Sequence, residues 1–185
     1  KAQRIVGKAD FAATNGWDLR LTSANRAAFR INQKTFGGTY QIVSDFYPDD
    51  GMTWIHVAAT YDGERARLYL NGNLEADVAW GVPIAPNTLP LAIGAEHDGD
   101  LWFDGVLADV RVYQVALCGA SIALIAGDDK YYTRLAGRWT FDEGQGEIAS
   151  DLSLNGNHAT LTNPSWGEGA SGFGFEVEGP AVVGH

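Results

Sequence analysis

The stretch that decides the fold is TWIHVAATYDGERARLYLNGN, residues 53–73. Residues 53–61 alternate between two sets of side chains, the period of two that places neighbours on opposite faces of a β-strand. Asp62-Gly63 follows, and this dipeptide tolerates the positive φ angles of a tight hairpin turn. Residues 65–70 alternate again before a second turn at 71–73. Such short connections predict antiparallel strands, because parallel strands need a crossover of about a dozen residues or more.

A second long alternating run, residues 101–114, predicts the longest strand of the chain. Both of its faces carry bulky side chains, as is typical of a strand inside a two-layer sandwich. Residues 80–90 carry three prolines and a glycine, which predicts a loop crossing a sheet edge. Helix is expected only at residues 121–126, with Ser121 as the N-cap and Gly127 as the stop. These signals together predict an all-β sandwich.

The bulk composition excludes several classes of function. The 185 residues carry a formal net charge of −10, which would repel nucleic acid and anionic membrane surfaces. No uncharged stretch reaches the roughly 20 apolar residues of a spanning helix, so we expect no membrane insertion. Cys118 is the only cysteine, and it can form neither an intrachain disulfide nor a multi-cysteine metal site. The cysteine count does not settle the compartment, and the sequence looks cut from a longer protein.

Further motifs extend the pattern of residues 53–73, namely LAIGAEHDG at 91–99, FDGVLADVRVYQVAL at 103–117, WTFDEGQG at 139–146, DLSLNGNHATL at 151–161 and GFGFEVEG at 172–179. Together these motifs resemble the concanavalin A-like superfamily of lectins and glucanases, in its laminin G-like and pentraxin-like form. The resemblance implies a two-sheet antiparallel jelly-roll sandwich, and it is also what implies an extracellular or cell-surface module. It is specific for fold and much less so for function, which depends on the individual site.

The order of the motifs is unusual, because residues 136–183 resemble the strands that open the family's domain, and residues 1–127 resemble its middle and late strands. The fragment could span two partial domains. Alternatively, the late segment folds back after a connector at 128–135, as a circular permutation or by swapping between chains. Unpaired, this aromatic-rich segment would expose sheet edges and apolar surface. We therefore predict a single sandwich over residues 1–185, completed by the C-terminal segment.

Calcium is the first candidate ligand. Calcium prefers oxygen donors, and the loop at residues 94–100 carries three carboxylates in its last five positions. The resemblance implies that the side chains of Glu96 and Asp98 and the carbonyl of His97 hold the ion, with Asn15 from a second loop. Thr14 departs from the aspartate usual in the family. A solvated acidic turn is the alternative.

Another oxygen-rich group follows in the late segment, where turn chemistry is the alternative to metal binding: Asp142, Glu143, Asp151, Asn155 and Asn157.

Carbohydrate is the second candidate ligand. A polysaccharide stacks its C–H faces on exposed aromatic rings and needs polar partners for its hydroxyl groups. Three tryptophans outside the alternating runs, or at their ends, have such neighbours, and the candidate residues are Trp17, Asp18, Trp80, Asp100 and Trp102. Burial of these rings in a satellite core is the alternative. Trp54 and Trp139 lie in alternating runs and are expected in the core.

Catalysis is the weakest possibility. Family 16 glycoside hydrolases, which share this architecture, place their carboxylates on one face of a strand at fixed separations. Residues 96–100 imitate the spacing, but Gly99 predicts a loop. We therefore predict a non-catalytic, lectin-like module that binds a polysaccharide or glycan, either directly or with calcium, and that adjoins other domains of its parent protein. The alternative is a structural spacer or a protein-interaction and adhesion repeat without a sugar site.

Overall fold

The computed structural model describes residues 1–9, 15–33, 38–45, 51–127, 131–169, 172–176 and 181–183. Within these ranges the chain forms sixteen strands and one short helix, α1 (Gly119–Ala126). Every strand pair between these elements is antiparallel. At eight residues, α1 is far too short to cross a bilayer, and the described part of the chain contains no helix that could.

One layer is an eight-stranded sheet. In spatial order its strands are β12 (Ile148–Ala149), β13 (Ala159–Leu161), β16 (Ala181–Val183), β8 (Ala92–Ile93), β1 (Gln3–Lys8), β2 (Gly16–Leu21), β3 (Ala27–Gln33) and β4 (Gly38–Val43).

Three smaller sheets supply the remaining strands. They consist of β5 (Val57–Tyr61), β6 (Arg65–Leu70) and β7 (Asn73–Ala79); of β10 (Val110–Tyr113) and β11 (Leu135–Trp139); and of β14 (Ser165–Glu168), β15 (Phe173–Glu176) and β9 (Val106–Leu107). One hydrophobic core joins side chains of the large sheet, such as Ile31 and Ile93, to side chains of the smaller ones, such as Leu68 and Phe175. The predicted two-layer antiparallel sandwich is confirmed.

The C-terminal strands pair with strands from the first two-thirds of the chain. β11 pairs with β10, β15 with β9, and β16 with β8. Three aromatic side chains of this segment, Trp139, Phe141 and Phe175, are fully buried in the common core, and the rings of Phe141 and Phe175 stack 5.4 Å apart. The late segment therefore completes the sandwich within the same chain. The division at residues 127 and 136 remains a prediction.

Local details differ from the sequence-based expectation. β5 begins only at Val57, and Trp54 is 41% exposed, so its expected place in the core is wrong. The run 101–114 splits into β9 and β10, because Asp109 adopts a φ of 48° between them, a left-handed conformation that interrupts pairing. The N-cap of α1 is Cys118 instead of Ser121, whereas Gly127 ends the helix as expected.

Candidate functional site

Strand β1 separates the predicted site residues into two groups. Trp17 lies beside Lys8, at the end of β1, in the β1–β2 ladder. Trp102 lies near the start of β1, where the ammonium group of Lys1 sits 5.6 Å from the centre of its ring. The five residue steps between Gln3 and Lys8 span about 17 Å. The structure therefore does not bring Trp17 and Trp102 into one site.

A cleft of about 310 Å³ opens at the Trp17 end of β1. The ring of Trp17 is half-buried and packs against the core. Early and late parts of the chain both line the cleft, and the lining residues are Lys8, Trp17, Leu91, Val112, Ala136, Gly137, Trp139, Asn157 and Val183. The cleft is thus a largely apolar surface with an ammonium group and an amide among its lining residues.

Hydrogen bonds fix the wall of this cleft that comes from the late segment. The indole Nε1 of Trp139 donates to the carbonyl oxygen of Asn157 at 2.9 Å. The side-chain Nδ2 of Asn157 donates to the carbonyl oxygen of Ala136 at 2.8 Å, and its backbone N–H donates to Asp151 at 2.9 Å. The amide of Asn157 is therefore held in place before any ligand arrives.

Asp151 organises the turn behind that wall. Its carboxylate accepts hydrogen bonds from the backbone N–H groups of Arg138, Ser153 and Asn157, and from the hydroxyl of Ser153. Burial opposes ionisation, but these hydrogen bonds outweigh it and lower the pKa of Asp151. In the same segment, Asn155 donates to the carbonyl oxygen of Leu135 at 2.9 Å. These contacts are turn chemistry, which was the alternative to metal binding for this group.

The backbone of Lys8, a lining residue of the cleft, is held by Asn87, which no sequence motif singled out. Its Nδ2 donates to the carbonyl oxygens of Lys8, at 2.8 Å, and Asn15, at 2.6 Å. Its Oδ1 accepts the backbone N–H of Leu89 at 2.8 Å. The only signal in the sequence was one amide residue within a proline-rich loop. Asn15, a predicted calcium ligand, thus lies close to Lys8, while Thr14 falls outside the described residues.

Asp18 does not border the cleft. It is fully buried, and its carboxylate accepts a hydrogen bond from Arg30 Nε at 2.7 Å and a second from Nη2 of the same guanidinium. Arg20 Nε and Arg4 Nη2 lie 3.6 and 3.5 Å from its oxygens. The structure therefore corrects the expectation that Asp18 is an exposed partner for sugar hydroxyls. Five buried side chains form what we call the charged cluster, namely Arg4, Asp18, Arg20, Arg30 and Glu96.

The acidic loop is a turn, as Gly99 predicted. Glu96 N–H donates to the carbonyl oxygen of Asp100 at 2.7 Å, and Gly99 N–H donates to that of Glu96 at 2.9 Å. Asp98 and Asp100 are exposed and His97 is half-buried. Glu96 is buried instead, and its carboxylate pairs with the guanidinium of Arg4. Glu96 is therefore not on the exposed rim of the loop.

Two of the predicted calcium donors, Glu96 and Asp98, have different partners in the structure. Across the described ranges, no three histidine, cysteine, aspartate or glutamate side chains are grouped so that they could hold a metal ion. The buried Glu96 faces a guanidinium, whereas Asp98 accepts the backbone N–H of Asp100 at 3.2 Å in the exposed turn. This arrangement does not fit the calcium site that the resemblance implied.

The other two predicted tryptophans have separate surroundings. The ring of Trp80 is half-buried among Phe29, Tyr40 and Tyr61, with centroid distances of 6.0, 5.8 and 5.8 Å. The faces of the Trp80 ring are therefore largely occupied by contacts with these aromatic side chains. Trp102 is 43% exposed and carries the Lys1 ammonium group over its ring. Of the three, Trp17 is the one that lines the cleft described above, together with fixed polar groups.

Comparisons with known proteins agree with this architecture. A laminin G-type family model, described as the concanavalin A-like lectin/glucanases superfamily, matches residues 1–123, about two-thirds of the chain. No curated protein matches the sequence significantly.

Solved structures show the same fold. A protein from Bacteroides ovatus ATCC 8483, proposed to bind carbohydrate, matches with a TM-score of 0.61 and 19% identity over 98% of this chain. The match covers 48% of that protein, so the chain spans about half its length. A heptameric SAP-like pentraxin from Limulus polyphemus matches with a TM-score of 0.52 and 17% identity, over 99% of this chain and 76% of its own. At these identities the likeness concerns the fold alone.

Proposed function

The chain belongs to the concanavalin A-like lectin/glucanase superfamily, and from this membership we propose that it is a non-catalytic, lectin-like module that binds carbohydrate. Fold does not assign function by itself, so the proposal rests on a site. The observation that carries it is the Trp17 cleft, where a half-buried indole shares a concave surface with Lys8 and Asn157.

The chemistry of the cleft suits a sugar ring. The C–H face of a pyranose packs against an indole, and the apolar side chains of Leu91 and Val112 continue that surface. The Lys8 ammonium group, which donates to the carbonyl oxygen of Leu89, and the Asn157 amide supply polar contacts for hydroxyl groups. Both are already oriented by the protein, which reduces the entropy lost on binding.

The size of the cleft and the net charge of the chain narrow the ligand class. A volume of about 310 Å³ lies at the lower end of small-molecule sites, which suits a short segment of a glycan. The net charge of −10 repels polyanions at long range, so we propose a neutral polysaccharide or glycan as the ligand. We expect a single cleft of this size to bind a glycan with weak affinity.

The proposed setting is extracellular or on the cell surface, as part of a larger protein. The Bacteroides ovatus protein, proposed to bind carbohydrate, is about twice as long as the segment it shares with this chain, which supports further domains beside it. The proposal is non-catalytic because Glu96 pairs with Arg4 and residues 96–100 form a turn. Glu96 is committed to the buried pair with Arg4, so it is not available beside Asp98 or Asp100 as one of the two carboxylates that glycoside hydrolysis requires.

The test is binding of a panel of neutral glycans, followed by calorimetric titration of the best ligand. Trp17→Ala should raise its Kd at least about tenfold, because truncating a central aromatic anchor costs more than about 1.4 kcal/mol. Trp102→Ala is the matched control, since that ring lies beyond the other end of β1, and its Kd should stay within about twofold of the wild type.

Two outcomes would contradict the proposal. If no glycan binds the wild-type protein, the spacer or protein-interaction alternative replaces the lectin-like function. If Trp102→Ala abolishes binding and Trp17→Ala does not, the module binds sugar, but at the other end of β1. Circular dichroism spectra of both variants check that each retains the β-sandwich.

A further inference from the structure

Among the residues that the structure describes, three oxygen groups converge on the guanidinium of Arg4. Its Nη2 pairs with the carboxylate of Glu96 and lies 3.5 Å from the Asp18 carboxylate. Its Nη1 donates to the carbonyl oxygen of Ala9. These acceptors come from the acidic loop, from β2 and from the residue after β1, and the three charged side chains are almost completely buried. The guanidinium therefore sits in an oxygen-lined site shielded from solvent.

Two carboxylates and a carbonyl are the ligand types that bind calcium. Here they already surround a permanent positive charge, since arginine is not deprotonated in proteins. A divalent cation at the same oxygens would lie within a few ångströms of that charge in a poorly solvated region, where repulsion is strong. Glu96 would first have to give up its buried ion pair with Arg4, and breaking a buried pair is costly.

We propose that Arg4 is the built-in cation of this loop and replaces the calcium ion that the family resemblance implies at Glu96. The acidic loop is consequently anchored to the sheet without metal. The inference stands on the Arg4 contacts alone and does not depend on whether the Trp17 cleft binds sugar.

The surrounding residues are shaped to admit the guanidinium. A Cβ at Gly7 would lie 3.0 Å from Arg4 Nη1, so the absence of a side chain at that position lets the arginine side chain lie over the backbone of β1. Two more buried arginines, Arg20 and Arg30, pair with Asp18. The Asp18 carboxylate thus already has three guanidinium groups beside it, which does not favour a divalent cation at the same oxygens.

The test compares thermal unfolding in EDTA and in calcium chloride at about 10 mM. The wild-type Tm should change by less than about 1 °C, because a ligand that does not bind the native state does not stabilise it. Arg4→Gln leaves the buried Glu96 without the cation that pairs with it, so the Tm of this variant should fall in EDTA. Calcium should then raise the Tm of Arg4→Gln by about 3–8 °C through binding to the native state.

Control variants distinguish calcium binding at Glu96 from a general effect of ionic strength on the Tm. Arg65→Gln removes the same charge from an exposed ion pair with Asp77 and should show no calcium-specific gain. The double variant Arg4→Gln/Glu96→Gln should lose the calcium response, and magnesium at equal concentration tests for ionic strength. Arg4→Lys keeps a cation and should remain insensitive to calcium.

The inference is overturned if calcium raises the wild-type Tm by several degrees and Glu96→Gln removes that gain. It is also overturned if Arg4→Gln folds and stays insensitive to calcium. Should Arg4→Gln fail to fold, calorimetric titration of wild-type protein with calcium decides: no binding heat up to that concentration supports the inference, and a saturating curve that Glu96→Gln abolishes contradicts it.

Discussion

Gly7 lies directly opposite Asp18 in the β1–β2 ladder, and a Cβ added to Gly7 would lie 2.7 Å from the Cβ of Asp18. That distance is shorter than real Cβ contacts. The bare backbone at Gly7 leaves the space in which Arg4 reaches Glu96, Asp18 and Ala9. The absence of a side chain at Gly7 therefore allows the buried guanidinium of Arg4 to reach the carboxylates that neutralise its charge.

Gly7→Ala should consequently destabilise the protein. The new methyl group must displace Asp18 or Arg4, and overpacking of this kind costs about 1–3 kcal/mol of unfolding free energy. Urea denaturation measures the loss. Gly119→Ala is the control, because its Cβ would meet Tyr69 at an ordinary 3.7 Å and alanine favours the helix there. Equal stability of Gly7→Ala and wild type would contradict the packing described.

Asp18→Asn should be among the most destabilising conservative changes in the chain. It leaves the paired guanidinium of Arg30 buried without its counter-charge, and breaking a buried pair costs about 3–5 kcal/mol. The measurement is the urea midpoint at constant m-value. Asp77→Asn makes the same chemical change in an exposed ion pair with Arg65, and its effect should be much smaller. Similar losses in both variants would show that Asp18 is not buried as described.

Acid should loosen the turn that holds Asn157, because the pKa of Asp151 is lowered in the folded protein. The Asp151 carboxylate accepts the backbone N–H groups of Asn157 and Ser153, and protonation weakens both hydrogen bonds. Since the folded pKa is the lower one, the carboxylate adds stability that is fully present above its unfolded pKa of about 3.9. This contribution is lost as the pH falls through the lower folded pKa.

The unfolding free energy should therefore decline as pH is lowered from about 5 towards 2, and Asp151→Asn should flatten part of that decline. Urea midpoints measured across this range test the expectation. Asp98→Asn, at an exposed carboxylate, controls for the change in net charge. Superimposable pH profiles for wild type and Asp151→Asn would contradict the role given to the Asp151 hydrogen bonds.

A chain that ends at Gly127 should not fold cooperatively. It would leave β8, β9 and β10 without their partners β16, β15 and β11, and it would remove the buried rings of Trp139, Phe141 and Phe175. Truncating one buried aromatic ring costs about 3–5 kcal/mol, so the combined loss exceeds the typical stability of a domain.

Thermal unfolding followed by near-ultraviolet circular dichroism tests this expectation. In the full chain, Phe175→Ala should cost about 3–5 kcal/mol, whereas Leu154→Ala, at a side chain that is 95% exposed, should change little. A sharp transition in the truncated chain would instead favour two partial domains.

The strands and turns could be read from the sequence because their signals are local. Alternation over residues 65–70 and the turn at Asp62-Gly63 depend on neighbours along the chain, and β6 appears where this pattern predicted it. Alternation along β2 puts Asp18 and Arg20 on one face of the strand and Leu19 on the other, but alternation cannot show that both faces are buried. The burial of both faces can be known only from the segments that pack against each side of the strand.

The sequence by itself determined an antiparallel β-sandwich whose late aromatic segment had to be buried, because period-two alternation, short turns and apolar side chains act over short distances or through composition. Only the tertiary structure decided which charges are compensated and which tryptophan lines a cleft. Arg4 and Glu96 are 92 positions apart, and Trp17 and Asn157 line one cleft only after the late strands pair with the early ones. Such contacts depend on how distant segments pack, which no local pattern specifies.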